Sequence, residues 1–237
     1  MLEAVLFDWG DTLMRWAPDP EFLADGHAAG FAALGVEPVV GMTERFGEVY
    51  LPSFFEPGAI EEIEYPAQVR RLLGEFGVTV SDDELLLFLE AEHAAWSPAR
   101  QLAATTHALL EALRDRGLKV GLVSNAFDPP ELLHRDLAQL GVAERLDAAV
   151  FSSEVGRRKP DPLIFEVALQ RLGGAAPARS LFVGDTLATD IAGAAALGMH
   201  TCLALWFRAD EDATAPEPDF RAFTQMDVLT IAARLAG

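Results

Sequence analysis

Four short fragments of the chain contain carboxylate, hydroxyl and ammonium side chains that could together bind and cleave a phosphate ester. An aspartate can attack phosphorus, a lysine can neutralise the charge of the phosphoryl group, and further acids can hold Mg²⁺, which prefers oxygen ligands. Each fragment alone is also typical of a turn or a helix cap, so the prediction depends on all of them acting together. The fragments are Phe-Asp-Trp-Gly-Asp-Thr-Leu at 7–13, Leu-Val-Ser-Asn at 122–125, Gly-Arg-Arg-Lys-Pro-Asp-Pro-Leu-Ile-Phe at 156–165 and Val-Gly-Asp-Thr-Leu-Ala-Thr-Asp-Ile at 183–191.

Each fragment lies at the end of a short apolar segment or just after one. Such segments, bounded by polar residues or glycine, predict buried β-strands, and predicted helices alternate with them. This alternation indicates an α/β fold with a parallel sheet, in which ligand sites lie at the carboxyl ends of the strands. The predicted strands are 4–7, 119–123, 148–151, 180–183 and 201–205, and the predicted helices are 105–116, 131–139, 162–172 and 190–197.

Residues 17–103, which we call the helical insertion, interrupt this alternation with predicted helices and without a clear strand. Apolar residues three and four positions apart predict helices at 22–34, 43–54, 61–76 and 83–96. Ser81, with Glu84 three residues later, is typical of a capping box at a helix start. We therefore predict a core domain of residues 1–16 and 104–237. The insertion would cover Asp8 as a lid, or else pack to one side as an ordinary subdomain.

In their order along the chain, the four fragments resemble the motifs of the haloacid dehalogenase superfamily of hydrolases. The resemblance covers residues 1–14 and about 104–205, and the insertion falls where this superfamily has a helical cap of the C1 type. It implies a Rossmann-like parallel sheet with strand order 3-2-1-4-5 and a mobile lid. It also implies a Mg²⁺-dependent phosphatase that cleaves a small phosphomonoester through an aspartyl-phosphate intermediate.

The resemblance also implies the residues of a metal site. Asp8 would be the nucleophile and a metal ligand. Asp185 and the main-chain carbonyl of Gly10 would complete the protein ligands of Mg²⁺. Asp190 would orient metal-bound waters or Lys159 without binding the ion itself.

A phosphate cradle is implied as well. Lys159 and Ser124 would act in catalysis by neutralising the phosphoryl charge and by donating a hydroxyl to a phosphate oxygen. The full set of implied phosphate-binding residues is Trp9, Gly10 and Asp11, through their main-chain amides, with Ser124, Asn125 and Lys159.

Gly10 departs from the superfamily pattern. Most of its phosphatases have an aspartate there, which protonates the leaving alcohol and then activates water. Asp11 looks like the ordinary turn residue of the motif, and we expect its side chain to point away from Asp8. Loss of a general acid/base typically lowers a rate by about 10²–10⁴-fold.

Four interpretations follow from this departure. The first is a phosphatase that is slow or suited to aryl or acyl phosphates, whose leaving groups need no proton. The second, a relative of phosphonoacetaldehyde hydrolase, requires a cap lysine, and residues 15–103 contain none. The third, a haloacid dehalogenase, lacks the metal-binding acid pair, which Asp185 and Asp190 would form here. The fourth is a non-catalytic relative that binds a phosphorylated metabolite or a protein partner.

Composition narrows the class of protein. The chain has 237 residues and a net charge of −19, which repels nucleic acids and anionic membranes. Cys202 is the only cysteine, so no internal disulfide can form, and the histidines lack ligand spacing. We expect a cytoplasmic monomer or homodimer whose partner is a small phosphorylated metabolite. The acidic stretch 208–219 is predicted to be a surface loop.

Overall fold

The computed structural model describes residues 1–54, 56, 58–207 and 216–237. Its strands are β1 (Ala4–Phe7), β2 (Met14–Trp16), β3 (Arg100–Leu102), β4 (Lys119–Ser124), β5 (Ala148–Phe151), β6 (Ser180–Gly184), β7 (His200–Ala204) and β8 (Phe220–Ala222). A parallel sheet has the order β5-β4-β1-β6-β7-β8. The predicted α/β fold and the predicted order 3-2-1-4-5 are therefore confirmed, and β8 adds an edge strand that was not predicted.

The sheet is buried on both faces. Val5 and Phe7 of β1 point into one hydrophobic cluster, whereas Ala4 and Leu6 point into a second cluster on the opposite face. This follows from the alternation of side chains along a strand. Parallel strands buried on both faces are continuous apolar segments, which is why the sequence pattern located them.

Helices surround the sheet and fill the insertion. Within the described residues, the insertion holds α1 to α5, and the rest of the chain holds α6 to α11. The capping box predicted at Ser81 and Glu84 is present at the start of α5. The helices are α1 (Phe22–Leu34), α2 (Met42–Arg45), α3 (Leu51–Phe54), α4 (Tyr65–Glu75), α5 (Asp82–Ala95), α6 (Thr106–Arg114), α7 (Pro130–Gln139), α8 (Ser152–Val155), α9 (Pro162–Arg171), α10 (Ala192–Ala196) and α11 (Asp227–Ala236).

Three details of the insertion differ from the prediction. The short strand β3 lies where no strand was predicted, and it pairs antiparallel with β2 where the chain leaves and re-enters the core. α4 begins at Tyr65 rather than at 61, because Pro66 fits only the first turn of a helix. The helix predicted over 43–54 is interrupted by a π turn at 46–50, just before Pro52, whose nitrogen cannot donate a regular helical hydrogen bond.

The insertion has its own hydrophobic cluster, which is rich in aromatic rings and includes Phe31, Phe46, Phe54, Tyr65, Phe88 and Trp96. Trp16 of β2 packs against both this cluster and the core. It therefore lies at the junction of the two parts. None of the described helices is long and apolar enough to cross a lipid bilayer. Of the predicted surface loop 208–219, positions 208–215 lie outside the described residues.

Candidate active site

The carboxyl ends of three neighbouring strands bring the predicted site residues together. β1 pairs in parallel with β4 on one side and β6 on the other. Asp8 follows β1 directly, and its amide donates to the carbonyl of Val183 at 2.9 Å. Ser124 is the last residue of β4, and Asp185 is the first after β6. All three side chains therefore start from the same edge of the sheet.

Lys159 joins this edge through its ammonium group, which is buried and fully hydrogen-bonded. Nζ donates to Oδ1 of Asp8 at 2.5 Å, to Oδ1 of Asp190 at 2.6 Å and to the carbonyl of Val123 at 3.0 Å. An ammonium has three donors, so these contacts satisfy it completely. The second carboxylate oxygen of Asp190 accepts the amide of Thr186 at 3.0 Å. Residues far apart in the sequence are thus fixed against one another.

Three carboxylates meet at this edge of the sheet. Asp8, Asp185 and Asp190 are all buried, and each offers an oxygen within 4.8 Å of the others. With Lys159 they form what we call the acidic cluster, which has two more negative than positive charges when every group is ionised. Burying uncompensated charge is costly. Oxygen donors and a double negative excess suit a divalent cation such as Mg²⁺.

The pKa values of the acidic cluster reflect this imbalance. Burial raises the pKa of Asp8 to about 7; Lys159 opposes this rise, and Asp190 and Asp185 add to it. Burial alone would lower the pKa of Lys159, but Asp190 and Asp8 more than offset burial and raise it above its ordinary value. The lysine therefore stays charged.

Ser124 and Asn125 have different surroundings. Ser124 is buried at the end of β4, on the same edge of the sheet as Asp8, so its hydroxyl is placed to donate to a ligand there. The Asn125 side chain is engaged twice by the Lys159 main chain. Its Nδ2 donates to the Lys159 carbonyl at 3.1 Å, and its Oδ1 accepts the Lys159 amide at 2.7 Å. A phosphate contact from Asn125 would therefore come from its main chain.

The turn at 9–11 is built around a residue in the left-handed region. Asp11 has φ of 53°, and its Oδ1 accepts the amide of Trp16 at 3.1 Å, which agrees with its expected role in the turn. The Trp9 side chain is buried in the core, so a phosphate contact here would come from the main chain. At Gly10, an added Cβ would meet nothing within 4 Å. Space for the missing acid is therefore present.

Gly184 belongs to the fourth fragment, but no role of its own was predicted for it. A Cβ at this position would lie 2.4 Å from the carboxylate of Asp190. Only glycine lets Asp190 approach the strand closely enough to reach Lys159. The signal was available, because Gly184 belongs to the fourth fragment.

A backbone contact between the insertion and the core was also missed. Residues 60–62, of which 61 and 62 were predicted to be helical, are extended and pair antiparallel with 156–158, directly before Lys159. The Arg158 amide donates to the Ile60 carbonyl at 2.8 Å, and the Glu62 amide donates to the Gly156 carbonyl at 3.1 Å. The insertion therefore supports the segment that carries the catalytic lysine candidate.

Known proteins resemble the chain over nearly its whole length. The haloacid dehalogenase-like hydrolase family matches residues 2–198. Ribulose-1,5-bisphosphate 5-phosphatase of Halopiger xanaduensis is 29% identical, over 95% of this chain and 92% of that protein. Glyceraldehyde 3-phosphate phosphatase of Methanothermobacter thermautotrophicus is 30% identical, over 98% of this chain and 96% of that protein. The crystal structure of 2-haloacid dehalogenase from Pseudomonas syringae pv. Tomato DC3000 superposes with a TM-score of 0.69 at 25% identity, over 99% of both chains.

Proposed function

The chain belongs to the haloacid dehalogenase-like hydrolase family and is an enzyme of the phosphatase type, and we propose that it cleaves a small phosphomonoester with the help of Mg²⁺. The observation that carries this proposal is the acidic cluster. A carboxylate at a strand end, the position of a nucleophile, lies 2.5 Å from a buried ammonium group and beside two further acids.

The residues of the cluster fit a magnesium ion. Asp8, Asp185 and the Gly10 carbonyl would hold it, and Asp190 would support the site, since both of its carboxylate oxygens already accept hydrogen bonds. Bound Mg²⁺ would offset the repulsion between the carboxylates and the phosphate dianion. The double negative excess of the cluster supports this assignment.

The chain's own residues would carry the reaction. A carboxylate oxygen of Asp8 would attack phosphorus in line, the bond from phosphorus to the leaving oxygen would break, and the aspartyl-phosphate would then be hydrolysed by water. Lys159 would neutralise the phosphoryl charge, and the hydroxyl of Ser124 would donate to a phosphate oxygen together with the amides of the 9–11 turn. Asn125 would hold Lys159 in place.

We propose that the substrate is a small phosphorylated metabolite. Two relatives that span more than nine-tenths of this chain are phosphatases of ribulose-1,5-bisphosphate and of glyceraldehyde 3-phosphate by name. The insertion, residues 17–103, would be the cap that sets specificity, and residues 1–16 and 104–237 would form the core. The separate hydrophobic cluster of the insertion supports this division.

Gly10 supports a second candidate function. Without an acid at this position, the chain could bind a phosphorylated metabolite or a protein partner without turnover. A haloacid dehalogenase remains a weaker alternative despite the structural likeness, because the acidic cluster needs a cation. Likewise, the insertion lacks the lysine that phosphonoacetaldehyde hydrolase chemistry requires.

Hydrolysis of p-nitrophenyl phosphate tests the proposal. We expect turnover with Mg²⁺, and loss of turnover with EDTA or in Asp8→Asn. Asp11→Asn is the matched control, because Asp11 serves the turn. Binding without turnover, across a broad panel of phosphate esters with Mg²⁺ present, would instead favour the non-catalytic function.

The remaining expectations stay predictions. We propose a cytoplasmic monomer or homodimer that binds neither nucleic acid nor membranes, on the basis of the net charge of −19 and the single cysteine. Size-exclusion chromatography with light scattering would test the oligomeric state.

A further inference from the structure

A second buried group of charged side chains connects the insertion to the core. His93 of α5 lies with Nδ1 2.8 Å from Oδ1 of Asp128 and with Nε2 2.9 Å from Oδ2 of Asp136. Asp128 belongs to the loop 125–129 and Asp136 to α7, both in the core. Arg100 of β3 places Nε 3.1 Å from the same Asp136 oxygen. We call these residues the junction cluster.

The geometry around His93 depends on one proton. A neutral imidazole has one N–H and one lone pair, whereas an imidazolium donates from both nitrogens. Since both ring nitrogens face carboxylate oxygens, only the imidazolium can donate to Asp128 and Asp136 together. Nη2 of Arg100 also lies 3.0 Å from Nδ1, where it could donate to the lone pair of a neutral ring. In the neutral ring that keeps its proton on Nε2, Nδ1 therefore accepts from Arg100 and no longer donates to Asp128.

We propose that His93 is a positioning residue whose imidazolium fastens the insertion to the loop 125–129, and that loss of its proton releases this loop from the insertion. The loop begins directly after Ser124 and contains Asn125, which holds Lys159. The effect on catalysis rests on the proposed function. The effect on the contact between insertion and core does not.

The same loop is held by aromatic contacts. The ring of Phe127 lies 4.4 Å from that of Phe54 and 4.9 Å from that of Tyr65, measured between ring centroids. A cavity of about 240 Å³ is lined by Phe127 and Asp128 from the core and by Glu62 and Ile63 from the insertion. The loop is therefore gripped by the insertion and has adjacent space into which it can move when Asp128 is released.

The charged and titratable groups around His93 set the direction of the pH effect. Burial lowers its pKa, hydrogen bonds to Asp128 and Asp136 raise it, and Arg100 opposes them; the net pKa lies above the ordinary 6.5. Its chain neighbour Glu92, which accepts a hydrogen bond from Tyr65, also lies nearby. Because the pKa is raised, the contact is fully present below 6.5 and is lost as pH rises through the raised value.

Histidine NMR of the full chain tests the protonation state. We expect the His93 ring to titrate above 6.5, and to titrate lower by about one unit or more in Asp128→Asn, which removes a facing charge. The exposed His134, which pairs with Glu154 of the core at 2.6 Å, is the internal control and should not respond to Asp128→Asn. A His93 pKa at or below 6.5 would overturn the proposal.

Amide hydrogen exchange, corrected for the intrinsic pH dependence, tests the junction itself. The amides of Glu62 and Arg158 cross the junction, and their protection factors should fall by roughly tenfold for each unit by which the His93 pKa is raised. The Asp147 amide, bonded within the core to Val120, should not change. His93→Gln should remove the pH dependence. Protection that is independent of pH in the natural protein would contradict the proposal.

Activity gives the third measurement. If the proposed function holds, the KM of the natural protein for p-nitrophenyl phosphate should increase when the pH is raised above the pKa of His93. His93→Gln should remove this increase, and His134→Gln should keep it. An inactive natural protein would overturn the proposed function and leave the NMR and exchange results to decide on His93. A rise in KM that persists in His93→Gln would overturn the link between His93 and catalysis.

Discussion

The acidic cluster and the junction cluster are both buried groups of carboxylates around cations, yet their charges add up differently. The acidic cluster sets three carboxylates against one ammonium group. The junction cluster sets two carboxylates against a guanidinium and an imidazole that is charged when protonated. The first cluster therefore needs a cation from outside the chain, whereas the second can balance itself by taking up one proton.

This difference indicates which buried ionic cluster binds a ligand. Buried ions are stable only when they are paired and hydrogen-bonded. A balanced cluster satisfies this condition from its own side chains and serves to hold segments together. An unbalanced cluster satisfies it only when a ligand supplies the missing charge, and such a cluster is expected to bind metal and phosphate.

Removal of the Lys159 ammonium group from the acidic cluster should have the largest effect. Lys159→Met leaves buried carboxylates without their partner, so without Mg²⁺ the free energy of unfolding should fall by about 3–5 kcal/mol, as measured by urea denaturation. Phosphatase activity should fall by about 10²–10³-fold. Lys119→Met is the control. The Lys119 side chain is 58% exposed, and its loss should change the unfolding free energy by less than about 1 kcal/mol. Equal losses of unfolding free energy in the two variants would contradict the view that the buried carboxylates depend on Lys159 for their charge balance.

Addition of an acid to the same cluster should accelerate the reaction. Gly10→Asp supplies the missing general acid at a position where a Cβ meets nothing within 4 Å. We expect hydrolysis of alkyl phosphates to rise by about 10²-fold, with a smaller gain for aryl phosphates, whose leaving groups need little protonation. Steady-state rates on matched alkyl and aryl esters measure this ratio. Equal gains on both, or no gain, would show that Gly10 is not what limits the rate.

Displacement of one carboxylate should have a moderate effect. Gly184→Ala pushes a Cβ to within 2.4 Å of Asp190 and should lower the unfolding free energy by about 1–3 kcal/mol. Gly74→Ala, inside α4 and with nothing within 4 Å of its Cβ, should instead raise it by about 0.5–1 kcal/mol. A neutral result at position 184 would mean that Asp190 can move without cost.

The smallest effect concerns the insertion. Burial raises the pKa of Glu92 to about 8, so the folded protein holds the proton of this carboxyl more tightly than the unfolded chain does. The stability gained from that proton is present below about 4.5, the pKa in the unfolded chain, and is lost as pH rises towards 8. Glu92→Gln should reduce the fall in Tm between pH 6 and 9, as measured by thermal melts. Glu90→Gln, on the same helix but only partly buried, should leave the slope unchanged.

The core of the site could be predicted from the sequence because its signals are local. The apolar segment before Asp8 predicts a central strand, and an acid at the end of such a segment points to the ligand edge of the sheet. The turn role expected of Asp11 agrees with its contact to Trp16.

The junction could not be predicted, because its contacts have no sequence period. His93 and Asp128 are 35 positions apart and belong to different segments, so no spacing rule joins them. Residues 60–62 contain good helix formers, but the backbone pairs with 156–158 instead, and Pro66 starts the helix only afterwards. Long-range pairing outweighed local preference in this segment.

That pairing has a consequence for anyone who wishes to redesign selectivity by exchanging the lid. Two main-chain bonds, from the Arg158 amide and to the Gly156 carbonyl, tie residues 60–62 to the stretch that presents Lys159. An insertion from another protein, grafted without residues 60–62, would remove these two hydrogen bonds. The stretch before Lys159 would then lose its support, and the ammonium group would be displaced. Residues 60–62 should therefore be kept with the core when the rest of the insertion is exchanged. Chimaeras that retain 60–62 should keep turnover, and chimaeras that replace these residues should lose it.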